Sequence, residues 1–218
     1  MSPTSGTTEE ERHVEVPGGV LVGDLVRPAN PVGLVVFAHG SGSSRFSPRN
    51  RYVADLLNED GLATFLVDLL TVEEDRDRAA RFDIDVLADR LTATVDNLLG
   101  DPAIELPIGL FGASTGAAAA IVTAAARPGG VWAVVSRGGR PDLAGAALVS
   151  VRSPTLLIVG DNDPQVLDLN RAALRELGAG SALEIVPGAS HLFEEPGALD
   201  SVAQRAATWF HRHLEASE

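Results

Sequence analysis

Gly112-Ala113-Ser114-Thr115-Gly116 follows the apolar run Ile108-Gly109-Leu110-Phe111 and opens the alanine-rich stretch Ala117–Ala126. The three pieces read as a buried strand, a sharp turn carrying a serine, and a helix. A serine so placed lifts its hydroxyl above the end of a parallel sheet, where such sheets bind ligands. Gly112 and Gly116 let the strand and helix backbones approach with no Cβ between them. A lone serine is a weak nucleophile. The turn therefore predicts a base, an acid that orients it and a pair of N–H donors elsewhere in the chain.

Outward from this turn the pattern repeats. Leu34–Ala38, Ala63–Val67, Ile108–Phe111, Val131–Val135, Thr155–Val159 and Ala182–Val186 are short apolar runs, expected of strands covered on both faces. Between or after them, Arg51–Glu59, Ile84–Leu99, Ala117–Ala126, Leu143–Val149, Val166–Leu177 and Leu199–Leu214 carry helical spacing. His13–Val16 and Val20–Val26, separated by Pro17-Gly18-Gly19, read as an antiparallel hairpin at the sheet edge. The fold class is α/β: a mostly parallel, doubly wound sheet flanked by helices. We divide the chain into an acidic disordered tail over residues 1–12 and a single domain over residues 13–218, with no insertion long enough for a large cap. Thr71–Asp83, dense in charge and short of apolar residues, is a solvated segment or a lid over the site.

Composition removes several chemistries. The 218 residues include no cysteine, which excludes disulfides, a thiol nucleophile and cysteine-bound metal. All 17 basic residues are arginine, so a Schiff-base lysine, a phosphate-loop lysine and a serine–lysine pair are excluded too. A formal net charge of -13 argues against a nucleic-acid partner. Neither a signal peptide nor a membrane-spanning run is read from the sequence, and the expectation is a soluble cytoplasmic protein with no membrane partner. No cofactor and no metal are called for. A homodimer is left open.

The partners of Ser114 are sought in the order serine, acid, histidine. Of the histidines after it, His211 and His213 fall on the terminal helical segment and read as surface residues. His191, in the loop Pro187-Gly188-Ala189-Ser190-His191 after the last strand, is the base. Gly160-Asp161-Asn162-Asp163-Pro164 follows the strand Thr155–Val159 and offers two acids. We take Asp163 over Asp161, although an aspartate before proline is also a good helix cap. The oxyanion donors are the N–H of Thr115 and that of Ser41 in the loop His39–Ser44, with Gly42 next in line. His39 precedes the serine and is read as bracing its loop. Gly42, Arg45 and Arg137 are the substrate-binding candidates. An arginine in Ser136-Arg137-Gly138-Gly139-Arg140 could clamp a carboxylate, or simply pair with Asp142. Trp132 and Phe193 could line an acyl pocket or belong to the core.

Leu34–Gly42, Gly112–Gly116, Gly160–Asp163 and Gly188–Phe193 together resemble the serine α/β-hydrolases of the dienelactone hydrolase-like group. His39-Gly40-Ser41-Gly42-Ser43-Ser44-Arg45, followed by Ser47-Pro48-Arg49-Asn50, also resembles small hydrolases that occur alone or fused to a phosphoribosyltransferase-like domain. The resemblance implies the α/β-hydrolase fold and a triad of Ser114, Asp163 and His191. Dienelactone hydrolases proper carry a cysteine where this chain has Ser114. The expected activity is therefore hydrolysis of small carboxylic esters, lactones included, through an acyl-enzyme. Acyl transfer to another acceptor and slow-turnover ligand binding on the same fold are the rival readings.

Overall fold

The computed structural model describes residues 6–178 and 180–215. Eight strands form one sheet in the order β1-β2-β4-β3-β5-β6-β7-β8. They are β1 (Thr8–Val16), β2 (Gly19–Arg27), β3 (Leu34–Ala38), β4 (Ala63–Val67), β5 (Ile108–Ala113), β6 (Val134–Arg137), β7 (Thr155–Gly160) and β8 (Ala182–Val186). β1 and β2 form an antiparallel hairpin, and β2 joins β4 antiparallel. Every pairing from β4 to β8 is parallel. The helices are α1 (Pro48–Glu59), α2 (Ile84–Leu99), α3 (Thr115–Ala126), α4 (Ala147–Ser150), α5 (Pro164–Leu174) and α6 (Ala198–Glu215).

The continuous apolar runs have the physical cause expected of them. Every residue of β3, β4, β5 and β7 is buried, because helices cover both faces of the sheet. Successive side chains still alternate between two cores. Val35, Phe37, Phe111, Val135 and Ile158 pack with α1 and α6 residues such as Leu57 and Phe210. Val36, Phe65, Leu110, Val134 and Leu157 face the other way, onto Leu91, Val95 and the alanines of α3. Those alanines bring α3 close to the sheet, which fixes the height of Ser114 above it.

Most boundaries shift by a few residues from the sequence reading, and those at β1, α1, β6 and α4 bear on the argument. β1 begins at Thr8, so residues 8–12 are strand rather than tail: Glu9, Glu10 and Glu11 pair with Val26, Leu25 and Asp24. They are polar because β1 is an edge strand with exposed side chains there, which a composition-based reading takes for disorder. Residues 1–5 of the expected tail lie outside the described residues. α1 begins at Pro48, since the Ser47 hydroxyl caps it by accepting from the Asn50 N–H and proline suits the first helical position. β6 runs to Arg137, which is thus a strand residue and not part of a loop. The helix expected over Leu143–Val149 divides into a 3-10 turn at Pro141–Ala144 and α4, parted by Gly145 at a φ of 52°.

Thr71–Asp83 holds two 3-10 turns, Glu74–Arg76 and Ala80–Phe82. Arg90 of α2 ties it down through Glu74. Among the described residues, no large cap domain covers the sheet. Among the described residues, no helix is long and apolar enough to cross a membrane.

Candidate active site

The ends of β3, β5, β6 and β7 open onto one edge of the sheet. Ser114 sits between β5 and α3 at φ 51° and ψ −119°, a left-handed backbone that costs a non-glycine residue of order 1 kcal/mol or more. Its neighbours hold it there. The Ser114 N–H donates to the Arg137 carbonyl at 3.3 Å, and the Ser114 carbonyl accepts from the Arg140 N–H at 3.0 Å. The flanking glycines have the job assigned to them. A Cβ on Gly112 would lie 2.4 Å from the Ala117 Cα, and one on Gly116 would lie 2.2 Å from the Ala38 carbonyl oxygen.

The two loops that carry the acid and base candidates touch through their backbones. A Cβ on Gly160 would fall 2.0 Å from the Ala189 carbonyl oxygen. The Asn162 N–H donates to that same carbonyl at 3.1 Å. With the loops so joined, His191 Nδ1–H donates to Asp163 Oδ2 at 2.6 Å. Asp163 occupies the N-cap position of α5, yet its side chain makes no capping bond there. The carboxylate has gone to the histidine instead. Asp161 does something else: its Oδ1 accepts from the Gly188 N–H at 2.6 Å and braces the His191 loop.

Ser114 and His191 line one cleft of about 190 Å3, together with Gly40, Ser41, Arg49 and Arg137. The Ser114 hydroxyl makes no hydrogen bond to a described residue.

The oxyanion candidates meet in a way the sequence does not suggest. The Ser41 N–H donates to Thr115 Oγ1 at 2.9 Å, and the two hydroxyls lie 3.0 Å apart. The Ser41 N–H is therefore engaged by a side chain. The Thr115 N–H stands in the first turn of α3, where no intrahelical acceptor exists.

Other candidates sort by partner. Arg45 pairs with Asp68 at 2.7 Å, Asp24 at 3.3 Å and Glu11 at 3.1 Å, and is not among the residues that line the cleft. Gly42 adopts φ 70° and does not line the cleft. Arg140, not Arg137, pairs with Asp142, at 2.7 Å. Trp132 packs on Phe210 before β6 begins, at the far edge of the sheet from Ser114. Phe193 is buried core. His211 is a surface residue bonded to Asp60. Arg49 and Asn50, from the first turn of α1, are cleft residues that the sequence reading passed over. Their segment was legible as a motif, but their direction depended on where α1 starts.

His39 braces its loop as expected. Its Nε2 accepts from the Leu69 N–H at 3.0 Å, so Nδ1 carries the proton and donates to the Gly40 carbonyl at 3.0 Å. Burial holds its pKa below the ordinary 6.5. The unfolded chain thus takes up this proton first, and the contribution of His39 to stability is complete above pH 6.5 and lost as the pH falls below it. One such proton gives a slope of at most about 1.4 kcal/mol per pH unit. His39→Gln should flatten the fall in Tm between about pH 7.5 and about pH 5.5 relative to the wild type. The comparison cancels His213, whose pKa burial also lowers.

With this geometry in hand, comparison with known proteins decides the family: residues 21–216 match the dienelactone hydrolase family. The chain belongs to the dienelactone hydrolase family. A dienelactone hydrolase structure from Anabaena variabilis is 55% identical, with a TM-score of 0.93 covering 95% of this chain and 98% of that one. Est1E from Butyrivibrio proteoclasticus is 16% identical, with a TM-score of 0.79 over 94% of this chain and 99% of that one, and shares the fold. "Putative phosphoribosyl transferase Rv0571c" of Mycobacterium tuberculosis is 55% identical over 207 residues, which are 94% of this chain and 47% of that protein. The chain spans about half the length of the curated relatives it matches. Its fold and family are those of α/β hydrolases, and a hydrolase is what they support.

Proposed function

We propose that this dienelactone hydrolase family member cleaves small carboxylic esters, lactones included, through an acyl-enzyme on Ser114. His191 Nε2 takes the Ser114 proton as the hydroxyl oxygen attacks the ester carbonyl. Asp163 holds the proton on Nδ1, keeping Nε2 available as the acceptor, and stabilises the imidazolium. The negative oxygen is held by the Thr115 N–H, joined by the Ser41 N–H once the Thr115 hydroxyl gives it up. His191 returns the proton to the departing alkoxide. A water then attacks the acyl group, with His191 again taking and returning the proton.

One observation carries the reading: the 2.6 Å bond from His191 Nδ1 to Asp163 Oδ2, beside a cleft that His191 and Ser114 both line. The same reading assigns the phosphoribosyl transfer in the relatives' name to the portion of those proteins that this chain does not match.

The test is pre-steady-state hydrolysis of a short p-nitrophenyl ester. A burst of p-nitrophenol matching the enzyme concentration, followed by steady release of the acid, is expected. Binding of the ester without a burst or turnover would replace the reading with a ligand-binding role. Formation of a new ester as the main product with an added alcohol would replace hydrolysis with acyl transfer.

A further inference from the structure

Arg137 ends β6 only 8% exposed. Its Nη2 donates to Asn50 Oδ1 at 3.1 Å, while Nε and Nη1 are buried with no partner among the described residues. The guanidinium also lies over the Phe193 ring, whose centroid is 5.9 Å away. Arg90, buried like Arg137, has Glu74, and the partly buried Arg45 has Asp68 and Asp24. Arg137 has none among the described residues. Burial, together with the nearby charge of Arg49, pushes its pKa down to about 10, which still leaves it a cation at neutral pH. A buried cation without a counter-charge destabilises the fold. An anion seated beside it would offset that cost.

The surroundings favour a particular anion. Arg137 lines the cleft with Ser114, and Arg49 lines it from the first turn of α1. α1 has 12 residues and no acid in its first turn, so its positive end has no side-chain carboxylate there to offset it. Ser43 and Ser47 add hydroxyls to the same wall. Glu194 reaches Arg49 at 3.3 Å, but it is 63% exposed and weakly held. Two guanidinium groups and a helix N-terminus are under-compensated by one carboxylate. A phosphate monoester brings about −1.5 to −2 charges and three acceptor oxygens.

We infer that the cleft takes esters bearing a phosphate monoester group, the phosphate seated between Arg137 and Arg49 while the ester carbonyl lies at Ser114. This rests on the hydrolase reading and names the substrate class for the same site. The phosphate needs no chemistry of its own. It orients the ester and supplies binding energy away from the reacting carbon.

Two measurements test it. In the first, thermal unfolding of the full chain is followed against inorganic phosphate, with acetate and chloride at matched ionic strength. Phosphate should raise Tm and the other two should not. Arg137→Gln should abolish the phosphate response and melt no lower than the wild type without phosphate, because it removes an unpaired buried charge. Arg127→Gln, which breaks a pair with Asp96 on the far end of α3, should keep the response. Equal protection by acetate overturns the choice of phosphate. A full phosphate response in Arg137→Gln overturns the site. A large fall in Tm for Arg137→Gln, with its phosphate response intact, makes the residue structural.

In the second, acetyl glycerol phosphate is compared with monoacetylglycerol. The phosphorylated ester should be favoured roughly tenfold or more in kcat/KM, and Arg137→Gln should bring the pair to parity. Equal rates in the wild type overturn the inference while leaving ester hydrolysis standing. No turnover of either ester, with the phosphate response of Tm intact, counts against the hydrolase reading and not against the anion site.

Discussion

Ser114→Ala should lower kcat for short p-nitrophenyl esters by roughly 10³-fold or more while leaving the protein folded. On the proposed mechanism the reaction loses its nucleophile, and whatever rate remains comes from the donors and the cleft acting on water. The fold should be indifferent for two reasons. Ser114 and alanine bear the same Cβ, so the strain at φ 51° is unchanged. The hydroxyl makes no hydrogen bond to a described residue, so its removal leaves no buried group unpaired. Tm should stay within a few degrees of the wild type, roughly the effect of less than 1 kcal/mol. Turnover at the wild-type rate in Ser114→Ala would move the nucleophile to another residue.

The second large effect separates two aspartates two residues apart. Asp163→Asn should cost roughly 10³- to 10⁴-fold in kcat. An amide placed at the position of Asp163 Oδ2 can offer an N–H to His191 Nδ1. That stabilises the tautomer protonated at Nε2, which cannot accept the Ser114 proton. Asp161→Asn keeps an oxygen acceptor for the Gly188 N–H, so activity should fall only a few-fold, with a stability loss of roughly 0.5–1.5 kcal/mol. Kinetics and Tm measured on both variants give opposite rankings: Asp163→Asn is the kinetic lesion and Asp161→Asn the structural one. A larger kinetic loss in Asp161→Asn would exchange their roles.

What the sequence made legible follows from which features are local. The turn at Gly112–Gly116 could be read because its glycines sit against backbone that any chain with this topology must bring close. His191 and Asp163 could be placed because they leave the ends of β8 and β7, and a parallel sheet gathers such ends at one edge. His39 could be assigned to its loop from chain order alone. The misses were of side-chain direction and of partner. Arg45 and Arg137 looked alike, as arginines near strand ends. Only packing shows that three acids take the first, while the second, within β6, has none among the described residues. The Thr115 hydroxyl bonding the Ser41 N–H is a tertiary contact between residues far apart in the chain, with no local signal. Glu9–Glu11 looked like tail because an edge strand open to solvent needs no apolar alternation.

Ser114 as the nucleophile is tested by labelling the folded protein with a fluorophosphonate and identifying the modified peptide. One adduct is expected, on Ser114, formed together with loss of esterase activity, and formed much more slowly in Asp163→Asn. An adduct on Ser41, Ser43 or Ser47 of the same cleft, or none on folded and active protein, would contradict it.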